Sequence, residues 1–332
     1  MPERRSTLVK QMRVCIFGAG AVGSHLAARL VRTEAEISVV ARGRQLDAIQ
    51  SHGITLTSND ENFNVRVEAT DDPATLPPQD IIFTTMKATA LPDAADSLSH
   101  LCRENGTIAF AVNGVPWWWH YGLEGNRPLP NLDHDSKLWN LLRHNAIGAS
   151  IASANTLIGP GHVKHVGLNN WTLGEPTGAL TERLRKVTTV LQTAGVNAVE
   201  TADIRTIVWR KLVINATFNP LEALTCLYGS QLLADERLRN LAGLMMTETL
   251  EIGKSLGLRI DDMSPEEVLS RAANAPARPS SMLQDVLARR RVEVNAILGQ
   301  LIEFGEQNRV EVRTLSTVYA LLRGRDAALA AG

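Results

Sequence analysis

Arg13-Val14-Cys15-Ile16-Phe17-Gly18-Ala19-Gly20-Ala21-Val22-Gly23 is the stretch that decides the fold. After Arg13 it is continuously apolar up to Phe17, as a strand covered on both faces of a parallel sheet requires. It then enters Gly-x-Gly-x-x-Gly. From His25 to Arg32, the apolar residues Leu26, Ala27, Leu30 and Val31 follow at helical spacing. Strand, glycine motif and helix in this order form a turn that binds a dinucleotide. The first glycine makes the turn, the second admits the pyrophosphate, and the third lets helix and strand pack closely. Gly18, Ala19, Gly20, Ala21, Val22 and Gly23 are therefore the candidate phosphate cradle.

Downstream, a second strand is expected from Glu36 to Ala41. A site reserved for an unphosphorylated ribose places Asp or Glu near the end of that strand. Ala41-Arg42-Gly43-Arg44 stands there instead. A guanidinium holds a 2′-phosphate bidentately where a carboxylate would repel it, so Arg42, helped by Arg44, points to NADPH. Two more core strands are expected, Asp80 to Met86 ending at Lys87 and Thr107 to Val112 ending at Asn113-Gly114. Ligands of open parallel sheets lie outside the carboxyl ends of the strands. The glycines, Arg42, Lys87 and Asn113 all fall at such ends.

The chain has 332 residues, 44% hydrophobic and 21% charged, with a formal net charge of −1. That length suits two domains and a sizeable core. The balanced charge leaves no cationic surplus for nucleic acid or an anionic membrane surface. No apolar run reaches the roughly 18 residues of a membrane span. Cys15, Cys102 and Cys226 are odd in number and far apart, which suits a reducing, cytoplasmic location rather than disulfides or zinc. Residues 1–11 read as a flexible tail. Its basic residues ahead of the apolar run resemble a signal peptide, but cleavage there would remove the glycine motif.

Trp117-Trp118-Trp119 is unusual in a chain with 5% aromatics. Packing or a subunit contact is the preferred reading, with an apolar substrate wall as the alternative. From Ala146 to Glu175, small and β-branched residues predict antiparallel strands over Ala149–Ile158, His162–Val166 and Asn170–Leu173. His162 and His165, three apart on a strand, point to opposite faces and make no metal site.

From about Thr201 the periodicity becomes helical. Within Asp203 to Leu227, Lys211, Asn215 and Asn219 recur every four residues and form one polar stripe in an otherwise apolar stretch. Amides placed there are costly unless something pairs with them. Pro220 predicts a kink beside them. A further long helix is expected from Ser280 or Ser281 to about Asn308. On it Ser281 serves as N-cap, Asp285 and Glu293 lie about 80° apart, and Arg289-Arg290-Arg291 forms a solvated face.

These residues together resemble the ketopantoate reductases, also called 2-dehydropantoate 2-reductases, over nearly the whole chain. The resemblance rests on the glycine motif, Thr85-Met86-Lys87-Ala88, Val112-Asn113-Gly114, Trp209-Arg210-Lys211-Leu212 with Asn215 and Asn219-Pro220, and Ser280-Ser281-Met282-Leu283-Gln284-Asp285 with Glu293. It implies an α/β Rossmann-type N-terminal domain followed by an all-α C-terminal domain, with the active site in the cleft between them. The expected division is 12–200 for the NADP-binding domain and 201–329 for a helical substrate and dimerisation domain. The implied reaction is NADPH-dependent reduction of ketopantoate to pantoate, in pantothenate and CoA biosynthesis. Lys211 is then the general acid, and Glu293 touches substrate and orients Lys211. Asn215, Asn219 and Ser281 hold the hydroxyl and carboxylate of the substrate, and Lys87 and Asn113 lie where cofactor meets substrate. A homodimer is compatible with this reading, and no metal is implied.

Two stretches depart from the family pattern. Gly148-Ala149-Ser150-Ile151-Ala152 stands where a Thr-Thr-His-type segment is common, and the tryptophan triplet is not the usual sequence. Both are expected near the substrate, which makes a different or bulkier 2-oxo acid the first alternative. A β-hydroxyacid dehydrogenase also carries Lys and then Asn four residues on, but after a glycine-rich stretch; Ile207-Val208-Trp209-Arg210 stands here. A non-catalytic NADP(H) sensor would have no use for the Lys211, Asn215, Asn219, Ser281 and Glu293 set.

Overall fold

Short apolar strands alternating with helices build the first half of the chain, and helices alone build the second. The computed structural model describes residues 12–331, so the tail expected over 1–11 lies outside the described residues. The chain divides into two compact units. The first holds the described residues up to Val112 and Trp117–Ile204, and the second holds Asn113–Pro116 and the chain from Arg205 onward.

In the first unit, β1 (Arg13–Phe17) is buried after its first residue and runs parallel to β2 (Glu36–Val40). Helix α1 (Ala21–Leu30) connects them, and α2 (Gly43–His52) follows β2. The chain continues through β3 (Ile54–Thr57), β4 (Asn62–Val65) and β5 (Glu68–Thr70) to β6 (Gln79–Thr84). It then passes through α3 (Leu91–Leu101) to β7 (Cys102–Phe110) and through α4 (Lys137–Leu142) to β8 (Ala146–Gly159). β9 (His162–Gly174), α5 (Glu182–Thr193) and β10 (Asn197–Glu200) complete the unit.

The ten strands form one sheet in the order β4-β3-β9-β8-β7-β6-β1-β2-β5, with β10 paired to β9. β1 pairs in parallel with both β2 and β6, so the chain reverses its direction of travel across the sheet at β1. That reversal opens a crevice at the carboxyl ends of β1 and β6. β8 pairs with β7 only through Ala146–Gly148, then continues as a long antiparallel hairpin with β9. Register shifts at Ser153–Asn155 bend the hairpin, and β9 ends up parallel to β3. The three antiparallel segments expected here are two long strands, because these shifts absorb the glycine-rich region without ending the ladder.

The second unit carries α6 (Ile204–Thr225), α7 (Gly229–Leu232), α8 (Glu236–Ser255), α9 (Pro265–Ala273), α10 (Ser281–Leu287), α11 (Gln300–Gln307) and α12 (Arg313–Ala331). Helix α6 continues through Pro220. The long helix expected from Ser280 to Asn308 does not form: α10 stops at Leu287, and a π-helical turn, Asn295–Gly299, leads into α11. The stop is a left-handed C-terminal motif. Arg289 adopts φ +53°, its N–H bonds to the Val286 carbonyl at 3.0 Å, and the Arg290 N–H reaches the Asp285 carbonyl at 2.8 Å. A left-handed non-glycine residue costs about 1–2 kcal/mol. Ion pairs on both following arginines offset it. Arg290 Nε meets Asp285 at 2.9 Å, and Arg291 binds both oxygens of Asp326 on α12, with Nε 2.8 Å from each. Two of the three arginines thus belong to a clamp and not to a merely solvated face. No described helix is long and apolar enough to cross a membrane.

Candidate functional site

In the first unit, the glycine motif lies at the crevice. Gly18 leaves β1 with φ +110°, and a Cβ there would lie 3.1 Å from the Met86 nitrogen. The Thr85 hydroxyl donates to the Gly18 carbonyl at 2.5 Å, tying the exits of β1 and β6 together. At Gly20 a Cβ would meet nothing within 4 Å, so the space above this residue is open. At Gly23 it would overlap the Gly18 carbonyl and the Thr85 hydroxyl. Turn, open approach and close packing are therefore divided among the three glycines as the motif requires. Helix α1 begins without a side-chain cap, so its first-turn N–H groups and positive end remain available to an anion. Ala19, Ala21 and Val22 complete the turn.

Arg42 is the residue immediately before α2, at the exit of β2. Arg42 and Arg44 are exposed, and neither is ion-paired among the described residues. Lys87 follows β6 at the start of a short 3-10 turn, Ala88–Ala90. The open turn and the uncapped start of α1 fit the pyrophosphate of a dinucleotide.

The second unit holds the polar stripe. Trp209 fixes α6: its ring is fully buried, its Nε1 donates to the Thr249 carbonyl on α8 at 3.1 Å, and it stacks near Phe304. Arg210 bonds the Arg259 carbonyl at 3.0 Å and pairs with Asp262. These anchors set the rotation of α6 and hence the direction of Lys211. The Lys211 Nζ donates to the Asn113 Oδ1 at 2.9 Å, a bond that spans 98 positions of sequence. Burial pushes the Lys211 ammonium down to about 8, and the Glu293 carboxylate opposes that fall.

Asn113 is placed by its neighbours. Gly114 has φ +84° and lies so close to Ala296 of the π-helical turn that a Cβ would collide with it. The Val115 N–H donates to the Ala296 carbonyl at 2.7 Å. Glu293, 9% exposed, sits between the arginine clamp and that turn. Because α10 ends at Leu287, Glu293 is not on a helix shared with Asp285. The clamp sets its place instead, with Asp326 also accepting the Val292 N–H at 2.9 Å.

Asn215 is half-buried and Asn219 is 6% exposed. Their carboxamides are not committed to any bond within the described residues. The N-cap of α10 is Ser280, whose hydroxyl accepts from the Leu283 N–H at 3.2 Å, and not Ser281. Ser281 is the first helical residue and is exposed, and its hydroxyl has no bond among the described residues. Glu222, buried on α6, accepts the Ser280 N–H at 2.7 Å and so fastens this helix start. Glu222 and Asp326 escaped sequence reasoning, and Thr85 was quoted there without its tie to Gly18. Each acts through a long-range bond that leaves no periodic trace.

The tryptophan triplet is core: Trp117, Trp118 and Trp119 are at most 2% exposed. Trp117 meets Phe110 edge-to-face at 5.1 Å. A Cβ at Gly148 would overlap the Trp118 ring, so the two departures from the family pattern are one packing feature. His162 bonds Thr57, and His165 bonds Asn155 and stacks on His25. No metal-binding cluster occurs among the described residues.

Comparison with known proteins gives the family. The family model for ketopantoate reductase PanE/ApbA matches residues 14–178, and its C-terminal counterpart matches residues 203–326. A 2-dehydropantoate 2-reductase from Mesorhizobium japonicum is 35% identical over 318 residues, covering 94% of this chain and 97% of the relative. The chain belongs to the ketopantoate reductase family. A crystal structure from Ralstonia solanacearum superposes on this family member with TM-score 0.90 at 30% identity, covering 96% of this chain and 99% of the other. The same fold, at TM-score 0.83 and 19% identity, is found in a D-mandelate dehydrogenase solved with NADH and anilino(oxo)acetate, covering 96% and 100%. Two family segments therefore span the Rossmann-type sheet and the helical unit of this ketopantoate reductase family chain.

Proposed function

We propose that the protein reduces ketopantoate to pantoate with NADPH, Lys211 being the general acid. The observation that carries this reading is the Lys211–Asn113 bond on a lysine lowered to about 8 beside Glu293. A bound nicotinamide supplies the hydride. As the carbonyl gains electrons its oxygen becomes basic, and the Lys211 ammonium stabilises that charge and then delivers its proton. Desolvation makes the proton available near neutral pH, while Glu293 keeps the ammonium form populated. Asn113 accepts one Nζ hydrogen and so directs the others. The uncommitted carboxamides of Asn215 and Asn219 and the free hydroxyl of Ser281 would hold the substrate's hydroxyl and carboxylate. Gly18–Gly23 would cradle the pyrophosphate, Lys87 would lie near its nicotinamide end, and Arg42 with Arg44 would hold the 2′-phosphate.

The reaction would supply pantoate for pantothenate and CoA biosynthesis in the cytoplasm, in keeping with three free cysteines. A homodimer is compatible with this reading, and light scattering would test it. Because the tryptophans pack into the core, they give no reason to enlarge the substrate. The deciding experiment is NADPH oxidation with ketopantoate, beside NADH and a panel of other 2-oxo acids. Turnover with ketopantoate and preference for NADPH support the whole reading. Activity confined to another 2-oxo acid would retain Lys211 and replace the substrate.

A further inference from the structure

Helix α2 carries the arginines, yet its start lacks the usual internal support. Arg42 makes no side-chain cap, and Gly43 enters the helix with φ +53°. Gln45 is the third residue of the helix, where a glutamine commonly reaches back to the N-cap backbone. Here both of its polar atoms are spent elsewhere. Its Nε2 donates to the Ser24 hydroxyl at 3.1 Å, and its Oε1 accepts the Gly161 N–H at 3.1 Å. Ser24, fully buried on α1, passes its own hydrogen to the Ala19 carbonyl inside the glycine-rich turn at 3.0 Å.

The relay is directional. An inverted amide would face its NH2 to the Gly161 N–H, donor against donor, and would draw the Ser24 hydrogen away from Ala19. Gly161 is itself held, since its carbonyl accepts the Thr55 N–H at 2.8 Å. A shallow hollow opens at this point, lined by Arg44, Gln45, the end of β8 from Leu157 to Gly159, and Pro160. One amide thus joins the turn expected to hold pyrophosphate, the helix start expected to hold a 2′-phosphate, and the hairpin beside them.

We propose that Gln45 is a positioning residue that locks the arginine-bearing start of α2 to the glycine-rich turn and thereby sets the preference for a 2′-phosphorylated dinucleotide. This rests on the cofactor reading above. Gln45 acts through Ser24 and through the placement of Arg42 and Arg44. Freeing the helix start weakens contacts made only to the 2′-phosphate, so NADPH loses more than NADH.

Dissociation constants for NADPH and NADH, measured by calorimetry on the full chain, test this with Gln45→Met, Ser24→Ala, their double variant and Arg42→Ala, each with its Tm. Gln45→Met is expected to raise the NADPH constant about tenfold and the NADH constant about threefold or less. Ser24→Ala should move both in the same direction. The double variant should be no worse than the stronger single, as expected for one shared relay. Gln45→Glu, should Gln45→Met fold poorly, is expected to weaken NADPH at least as much, through added negative charge. A lower Tm with an unchanged NADPH-to-NADH ratio, or additive single variants, overturns the proposal. Absence of NADPH preference in the wild-type chain would remove the cofactor reading and this role with it. A wild-type preference that Gln45→Met leaves intact would overturn the role of Gln45 alone.

Discussion

At the scale of single residues, the proposed chemistry turns on one lysine whose environment is divided against itself. Burial drives Lys211 toward the neutral amine, and Glu293 draws it back. Lys211→Ala is expected to cut kcat by about a hundredfold or more while the NADPH dissociation constant stays within about threefold. Steady-state rates and calorimetry check this, and equal losses in both would refute the assignment. The acid must carry its proton, so kcat/KM for reduction should hold below about pH 8 and fall as pH rises through the Lys211 value of about 8. Oxidation of pantoate needs the neutral amine and should rise over the same range. Glu293→Gln removes the group that raises the lysine, so the alkaline limb should move to lower pH. A limb that stayed in place would separate Glu293 from Lys211. The recurrence of Lys211, Asn215 and Asn219 was legible in the sequence because helical periodicity is local. The partner Asn113 was legible as a strand-end residue and, through the family resemblance, as a site residue, but nothing local ties it to Lys211.

Elements decide how these side chains are presented. The sequence pointed to Ser281 as the cap, but the structure gives the cap to Ser280, and the Ser281 hydroxyl has no bond among the described residues. Ser280→Ala should therefore cost about 1 kcal/mol of stability, or roughly 2–4 °C in Tm. Ser281→Ala should leave Tm nearly unchanged and raise KM for the 2-oxo acid. Thermal melts beside substrate titrations distinguish them, and the reverse pattern would return the cap to Ser281. The expected continuous helix from Ser280 to Asn308 failed for a related reason. Its apolar periodicity persists, yet Arg289 turns left-handed because Asp285 and Asp326 wait for the next two arginines. Asp326 lies 35 positions from Arg291, beyond any local pattern.

At the scale of the whole molecule, two units are built by different rules, one around a mixed sheet and one from helices. Ligand that binds only the folded first unit should stabilise it by mass action. NADPH at about 100 times its dissociation constant is worth about 2.7 kcal/mol, on the order of 5–10 °C in Tm. NADH at the same concentration should give less, and Arg42→Ala should erase the difference. Differential scanning calorimetry reads both, and equal shifts in the wild-type chain would remove the 2′-phosphate role of Arg42. The sequence by itself determined the strand–glycine–helix start, the helical second half and the polar stripe on α6, because backbone sterics and hydrophobic period act over a few residues. Tertiary structure alone decided that Asn113–Pro116 joins the helical unit, that Trp118 fills the space over Gly148, and that Glu293 follows a broken helix. Those outcomes depend on which distant groups satisfy a buried bond or fill a volume, and such partners meet only once the chain has folded.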